Sequence, residues 1–253
     1  MLYYIHTNQG GVFMKTTINP IALQLLMALN NNTDTKPVPH HTAADPIKNE
    51  QDIITAEQWF LNQEQRYRNS KYNIRNYALF VISINCGRRV SDVRNFQIKD
   101  FVNPNGTYKD YLTIKEKKTG KIANIYINQG IKNALDKYLP TLPPLSTLDD
   151  YLFQSRSKKR QDKEPDPRLS EHQINNIYQK MAKEIGLTDR GLHISSHSTR
   201  KTAVYRMIQS DPTDIRTLIN VQKFCNHSDF STTLRYAGIQ QDEIDDLTKA
   251  ISI

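Results

Sequence analysis

Only two cysteines, Cys86 and Cys225, occur in 253 residues, and they form no C-x-x-C pair. That argues against a disulfide framework or a zinc cluster and suits a reducing compartment. Apolar runs are short as well, and none approaches the roughly 18 residues that a membrane-spanning helix requires. The opening stretch MLYYIHTNQGGVFMK lacks the basic region and long apolar core of a signal peptide, so the cytoplasm is the expected location. Acidic residues are outnumbered by basic ones, 26 to 34, leaving a formal charge of +8 and a pI near 9.3. This balance favours a polyanionic partner such as nucleic acid, although membrane surfaces would also attract it. Hydrophobic residues at 38% are somewhat few, but charged residues at 24% are ordinary, so a folded chain with a sizeable core is expected rather than a disordered one.

What is present divides into three parts. Residues 1–30 form an N-terminal extension in which NPIALQLLMALNNN, with Pro20 in a first turn and Ile21, Leu25, Leu26 and Leu29 near helical spacing, predicts a short amphipathic helix. Residues 31–52 are rich in Asn, Thr, Pro and charge and read as a linker. The main domain is expected over 53–253. Thr55 and Gln58 form a capping-box pattern at its first helix, and NIRNYALFVISINCG, apolar almost all round, predicts a central helix. DYLTIKEKKTGKIANIYIN alternates apolar and polar residues about a Lys-Thr-Gly-Lys turn, which predicts an antiparallel hairpin with Gly120 at or beside the turn. IKNALDKYLPTLPP reads as a helix stopped by prolines, and SRSKKRQDKEPDPR as an exposed basic loop. Ser170 and Gln173 form a second capping-box pattern for a helix that Gly186 ends, and helices dominate the remainder. The fold class is therefore mainly α with a small antiparallel β-sheet.

Four stretches carry candidate chemistry. In CGRRVSDVRNF, Arg89 follows the turn-permissive Gly87 just past the buried helix. In HSTRK, His197 and Arg200 are three apart and share a helix face. Lys118 sits at the hairpin tip, and CNHSDFSTTLRYAG supplies His227 and Tyr236. Taken singly, each has an ordinary reading: a surface arginine, a solvated hairpin lysine, a half-buried histidine or tyrosine. Together they suit phosphate. Guanidinium groups bind non-bridging oxygens bidentately, histidine and lysine move protons or donate hydrogen bonds, and tyrosine can attack phosphorus. His193, His197, Cys225 and His227 match no strong metal-ligand spacing.

The order GRRVSD, KKTGK, HSTRKT and NHSDFSTTLRY resembles the tyrosine recombinase, or phage integrase, family, over about Ile53 to Ile253. The resemblance implies a site-specific recombinase that cleaves and rejoins double-stranded DNA through a 3′-phosphotyrosyl intermediate, without nucleotide or metal cofactor. It implies that Arg89 and Arg200 clamp the scissile phosphate, that His197 accepts a proton or donates a hydrogen bond near the nucleophile, and that Lys118 protonates the departing 5′ oxygen. His227 would hydrogen-bond the same phosphate, Tyr236 would be the nucleophile, and Asp92, three residues past Arg89, would orient neighbours. A cytoplasmic, bacterial or phage- or plasmid-encoded enzyme, weakly associated or monomeric when free and tetrameric on paired sites, is the implied setting.

Two positions depart from the family pattern without removing a reacting atom: Asn226 stands where glycine commonly precedes the second histidine, and Lys201 where histidine is frequent. About fifty residues precede the catalytic part, too few for the helical core-binding domain of many members, so a compact member is expected. The tail AGIQQDEIDDLTKAISI has Ile239, Ile244, Leu247 and Ile251 near helical spacing, a helix that in the family often docks on a neighbouring subunit and that could equally fold onto its own domain. Two other functions stay open: strand nicking and resealing of the type IB topoisomerase kind, and a non-catalytic DNA-binding accessory protein.

Overall fold

The computed structural model describes residues 44–62, 70–155, 166–211, 214–227 and 232–233. The expected N-terminal helix, most of the linker, the basic loop over 156–165 and the tail helix lie outside the described residues. The described chain is mostly helical with one two-stranded antiparallel sheet, the class expected. No described helix is long and apolar enough to cross a membrane.

Helix α1 (Glu50–Asn62) begins five residues before the Thr55 capping-box pattern. Asn49 Oδ1 accepts the Gln51 N–H at 2.8 Å and its carbonyl accepts from Ile53, while Glu50 and Asp52 place negative charge in the first turn. Thr55 instead lies mid-helix, its hydroxyl donating to the Gln51 carbonyl. The segment before α1, expected as linker, is packed: Ile47 is buried and donates its N–H to Thr202 Oγ1 at 2.8 Å, and Asp45 pairs with the backbone of His193.

Helix α2 (Ser70–Cys86) is the central element, with Ala78, Leu79, Phe80, Val81 and Ile82 consecutively buried. A helix buried on every side needs neighbours on every side, and α1, α4 (Gln129–Tyr138) and α6 (Ser198–Ser210) pack around it. After α2 come the short helix α3 (Val90–Val93) and the hairpin β1 (Tyr111–Lys115) and β2 (Ile122–Tyr126), paired from Tyr111 opposite Tyr126 to Lys115 opposite Ile122. Leu112, Ala123 and Ile125 turn inward, and Tyr111 and Tyr126 meet edge-on outside. Helix α4 starts at Asn128, which accepts from Ile131 N–H, and gives way to a 3₁₀ turn at Pro140.

Helix α5 (Glu171–Glu184) has the expected capping box between Ser170 and Gln173. It ends at Gly186, whose φ of 76° lets Leu187 N–H reach the Ala182 carbonyl and Gly186 N–H the Lys183 carbonyl. Helix α7 (Ile215–Cys225) closes the domain against α6, sharing with it a smaller core of Val204, Ile208, Leu218, Val221 and Cys225. Phe224 packs against both cores.

The turn joining α2 to α3 lies where these cores meet. Gly87 has a φ of 59°, and a Cβ there would stand 2.7 Å from the Phe224 ring and 3.2 Å from Ala203 Cβ. Left-handed backbone and overpacking combine, so Gly87→Ala should destabilise the fold by about 2–4 kcal/mol in urea unfolding. A loss below about 0.5 kcal/mol, the range of an ordinary surface change, contradicts this account.

Candidate active site

Three arginines gather around the Gly87 turn and the C-terminal end of α7. Arg88 is fully buried: its Nε donates to the Cys86 carbonyl at 3.1 Å, Nη1 to Glu116 Oε1 at 3.0 Å and Nη2 to the Phe224 carbonyl, and its guanidinium lies over the Phe224 ring at 4.3 Å. Arg200, also fully buried, donates from Nη1 to the Gly87 carbonyl at 3.0 Å and from Nη2 to the Cys225 carbonyl at 2.9 Å and to His227 Nε2 at 3.1 Å. The last carbonyls of a helix have no intrahelical partner and carry the negative end of its dipole, so buried guanidiniums are matched to them in charge and geometry. Arg89 donates Nη1 to Glu116 Oε2 at 3.0 Å, and its side chain keeps 18% exposure.

The hairpin loop is tied to this cluster at three points. Glu116, buried at the end of β1, holds Arg88 with one carboxylate oxygen and Arg89 with the other, which also accepts from Thr119 Oγ1 at 2.7 Å. Burial alone would raise its pKa, but hydrogen bonds from Thr119 and Arg89 and the charges of Arg89 and Arg88 hold it below the usual carboxylate value, and it stays ionised. Asp92, from α3, accepts the Lys117 N–H at 2.9 Å, and Lys121 Nζ reaches the Asn226 carbonyl at 3.4 Å. Burial and the nearby Glu116 charge raise the Asp92 pKa, against the pull of that hydrogen bond, and its buried Oδ2 has no hydrogen-bond partner. Lys118 stands exposed between these ties, beside Gly120 with its φ of 68°.

Helix α7 ends in Asn226, in the left-handed region at φ 54°. This explains the departure at that position, since after glycine asparagine is the residue that best tolerates such a cap. The chain then turns so that His227 faces Arg200. A guanidinium has only donors, so His227 Nε2 accepts and the ring proton sits on Nδ1, 3.0 Å from Thr233 Oγ1. Burial, then the charges of Arg200 and Arg89, push the His227 pKa down to about 4. His197 is exposed at the N-terminus of α6, and partial desolvation and the Arg200 charge lower its pKa as well. Tyr236 lies outside the described residues. Among the described residues no three His, Cys, Asp or Glu side chains form a group that could hold a metal ion.

The structure thus places Arg89, Arg200 and His227 in one connected network, with the Lys118 loop and Asp92 joined to it through backbone and carboxylate. Sequence reading missed Arg88 and Glu116. Arg88 was legible only as a neighbour of Arg89. Glu116 had one signal, a single acid in the otherwise basic stretch KEKKTGK.

The helical fold with its hairpin and the order of the motifs match the catalytic-domain fold of tyrosine recombinases, and the comparisons agree. The model of the phage integrase family matches residues 58–243. The probable integrase/recombinase YoeC of Bacillus subtilis (strain 168) is 31% identical over 198 residues, which is 78% of this chain and 91% of that protein. Tyrosine recombinase XerC of Caldanaerobacter subterraneus subsp. tengcongensis is 31% identical over 171 residues, 67% of this chain and 43% of that one. Among solved structures, XerA recombinase aligns with TM-score 0.57 at 18% identity, covering 92% of this chain and 75% of XerA. XerH bound to its difH substrate in a pre-cleavage complex aligns with TM-score 0.55 at 20% identity, covering 90% and 63%. The chain therefore spans under half of the XerC sequence and less than two thirds of XerH. It belongs to the phage integrase family.

The His227 environment makes a direct prediction. Its folded-state pKa of about 4 lies below the ordinary histidine value of about 6.5, so the unfolded chain binds a proton in that window that the folded chain does not. Stability from this group is present above pH 6.5 and is lost as pH falls toward 4. An NMR titration of the DNA-free protein should find the His227 ring neutral down to about pH 4. A midpoint near 6.5 contradicts the described environment.

Proposed function

We propose that the protein is a site-specific DNA recombinase that cleaves one strand at a time and rejoins it to a new partner through a phosphotyrosyl link. The observation that carries this reading is the shared network of Arg89, Arg200 and His227 at the end of α7, beneath a hairpin that exposes Lys118. The Tyr236 oxygen bonds to phosphorus while the bond from phosphorus to the 5′ oxygen breaks, Lys118 delivers a proton to that oxygen, and the 3′ end stays on the tyrosine. His197 serves the nucleophile's proton, since a neutral imidazole can accept it. Arg89 and Arg200 hold the non-bridging oxygens as their charge grows. Burial and, after it, the charges of Arg200 and Arg89 keep His227 neutral, and an arriving phosphate offsets those charges and favours a ring that can donate to it. Reversal with a different 5′ hydroxyl reseals the strand, and the tyrosyl ester conserves the energy of the broken linkage.

Double-stranded DNA is the partner this reading requires, and the net charge of +8 suits it. Assembly as a tetramer on paired sites, with the tail beyond Gly238 docked on a neighbouring subunit, follows from the same reading. Truncation after Gly238 should then leave single-site binding in place and abolish the tetramer seen by mass on paired sites. A truncated chain that still forms the tetramer rules out docking in trans.

The experiment uses a nicked duplex whose sequence is selected by the protein from a randomised pool. Its short released strand drifts away and traps the adduct as a shifted protein band on a denaturing gel. Tyr236→Phe should bind and fold normally yet form no adduct. His227→Ala should slow adduct formation about 10²- to 10³-fold, and Arg89→Ala or Arg200→Ala at least as much. An adduct that persists in Tyr236→Phe, or that maps to another tyrosine, overturns the assignment.

A further inference from the structure

Glu116 does more than neutralise a buried arginine. A counter-ion for Arg88 alone needs one carboxylate oxygen, and Oε1 supplies it at 3.0 Å. The second oxygen is divided between Arg89, at 3.0 Å, and the Thr119 hydroxyl, at 2.7 Å. The backbone of the same residue closes the loop, donating to the Lys121 carbonyl at 2.9 Å and accepting from Gly120 N–H at 2.8 Å. One buried residue therefore fixes both the arginine beside the phosphate site and the loop that carries Lys118. Lys118 itself is held on each side: Lys117 by its N–H on Asp92, and Thr119 by its hydroxyl on Glu116. Its ammonium makes no hydrogen bond or ion pair with a described residue, and the side chain is exposed on a loop tied at both flanks.

We propose that Glu116 is a positioning residue that sets Lys118 at a fixed distance from Arg89, so that the lysine meets the leaving 5′ oxygen of a phosphate held by that arginine. The inference rests on the proposed reaction. Without the carboxylate, Thr119 loses its anchor and the loop is left tied through Asp92 and Lys121 alone, whereas the glutamine oxygen can still accept from Arg89. The step most sensitive to such drift is proton delivery to the leaving oxygen, because a proton donor acts only within hydrogen-bond reach.

The leaving group itself separates this role from a general loss of structure. In a duplex with sulfur in place of the bridging 5′ oxygen at the scissile phosphate, the departing thiolate is a far weaker base than an alkoxide and leaves without a proton from Lys118. The selected nicked duplex is made in both forms, with the scissile position taken from the adduct of the unaltered protein. Glu116→Gln should form adduct about 10²-fold more slowly on the oxygen duplex and come within about tenfold of the unaltered protein on the sulfur duplex, the same pattern as Lys118→Ala. Arg89→Ala should remain slow on both. Equal slowing of Glu116→Gln on both duplexes, or no slowing on the oxygen duplex, overturns the proposal. If Glu116→Gln leaves Arg88 uncompensated and fails to fold, the double variant Arg88→Met with Glu116→Gln removes both buried charges, and it is compared with Arg88→Met alone. Leaving-group-dependent slowing must then appear only with the Glu116 change, and its appearance in Arg88→Met alone also overturns the proposal. Failure of the unaltered protein to form an adduct on either duplex is a separate result, which refutes the proposed reaction and the inference with it.

Discussion

The carbonyl groups at the end of α7 meet two arginines that have no contact with solvent, and the geometry of the site follows from that encounter. Arg88 and Arg200 approach from different parts of the chain, one from the turn after α2 and the other from α6, and converge on the Phe224 and Cys225 carbonyls. Burying a guanidinium is costly unless its donors are matched, and the match here draws on helix-end carbonyls, the Cys86 and Gly87 carbonyls and the Glu116 carboxylate. These partners come from three segments: the end of α2 with its turn, the end of α7 and the hairpin. Satisfying the two buried cations therefore forces α2, α6, α7 and the hairpin into one arrangement.

That arrangement also sets an acidic residue, Glu116, against Arg89, the arginine proposed to bind phosphate. Glu116 lowers the local positive charge, yet it leaves Arg89 oriented and partly exposed rather than buried with Arg88. Burial first, and then a net positive balance from Arg200 and Arg89 that Glu116 only partly offsets, keep the His227 ring neutral. In a site organised this way, the binding of an anion and the protonation of the histidine reinforce one another.

Much of the scaffold was legible in the sequence because it rests on local rules. Alternation about KTGK gave the hairpin, Ser170 and Gln173 gave the start of α5, and Gly186 its end, since each depends on residues within a few positions. Thr55 misled for the same reason: its pattern is locally valid, but Asn49 with Glu50 and Asp52 offered an earlier cap that a packed Ile47 then fixed in place. The motif order revealed Arg89, Lys118, His197, Arg200, His227 and Tyr236 as candidates. It could not reveal the pairing of Arg88 with Glu116, because a buried ion pair 28 positions apart leaves no periodic trace. Asn226 read as a departure from pattern until its left-handed backbone supplied the reason.

On the proposed reading, this buried network holds Arg89, Arg200 and His227 together so that one phosphate meets all three. A crystal structure of the Tyr236→Phe protein on its selected nicked duplex tests this arrangement most directly. The expected result places the scissile phosphate within hydrogen-bond reach of all three side chains, with Arg88 still on the Cys86 and Phe224 carbonyls and Glu116 still joining Arg88 to Arg89. A phosphate seated away from these residues, or an Arg88 that has left α7 to bind DNA, would contradict it.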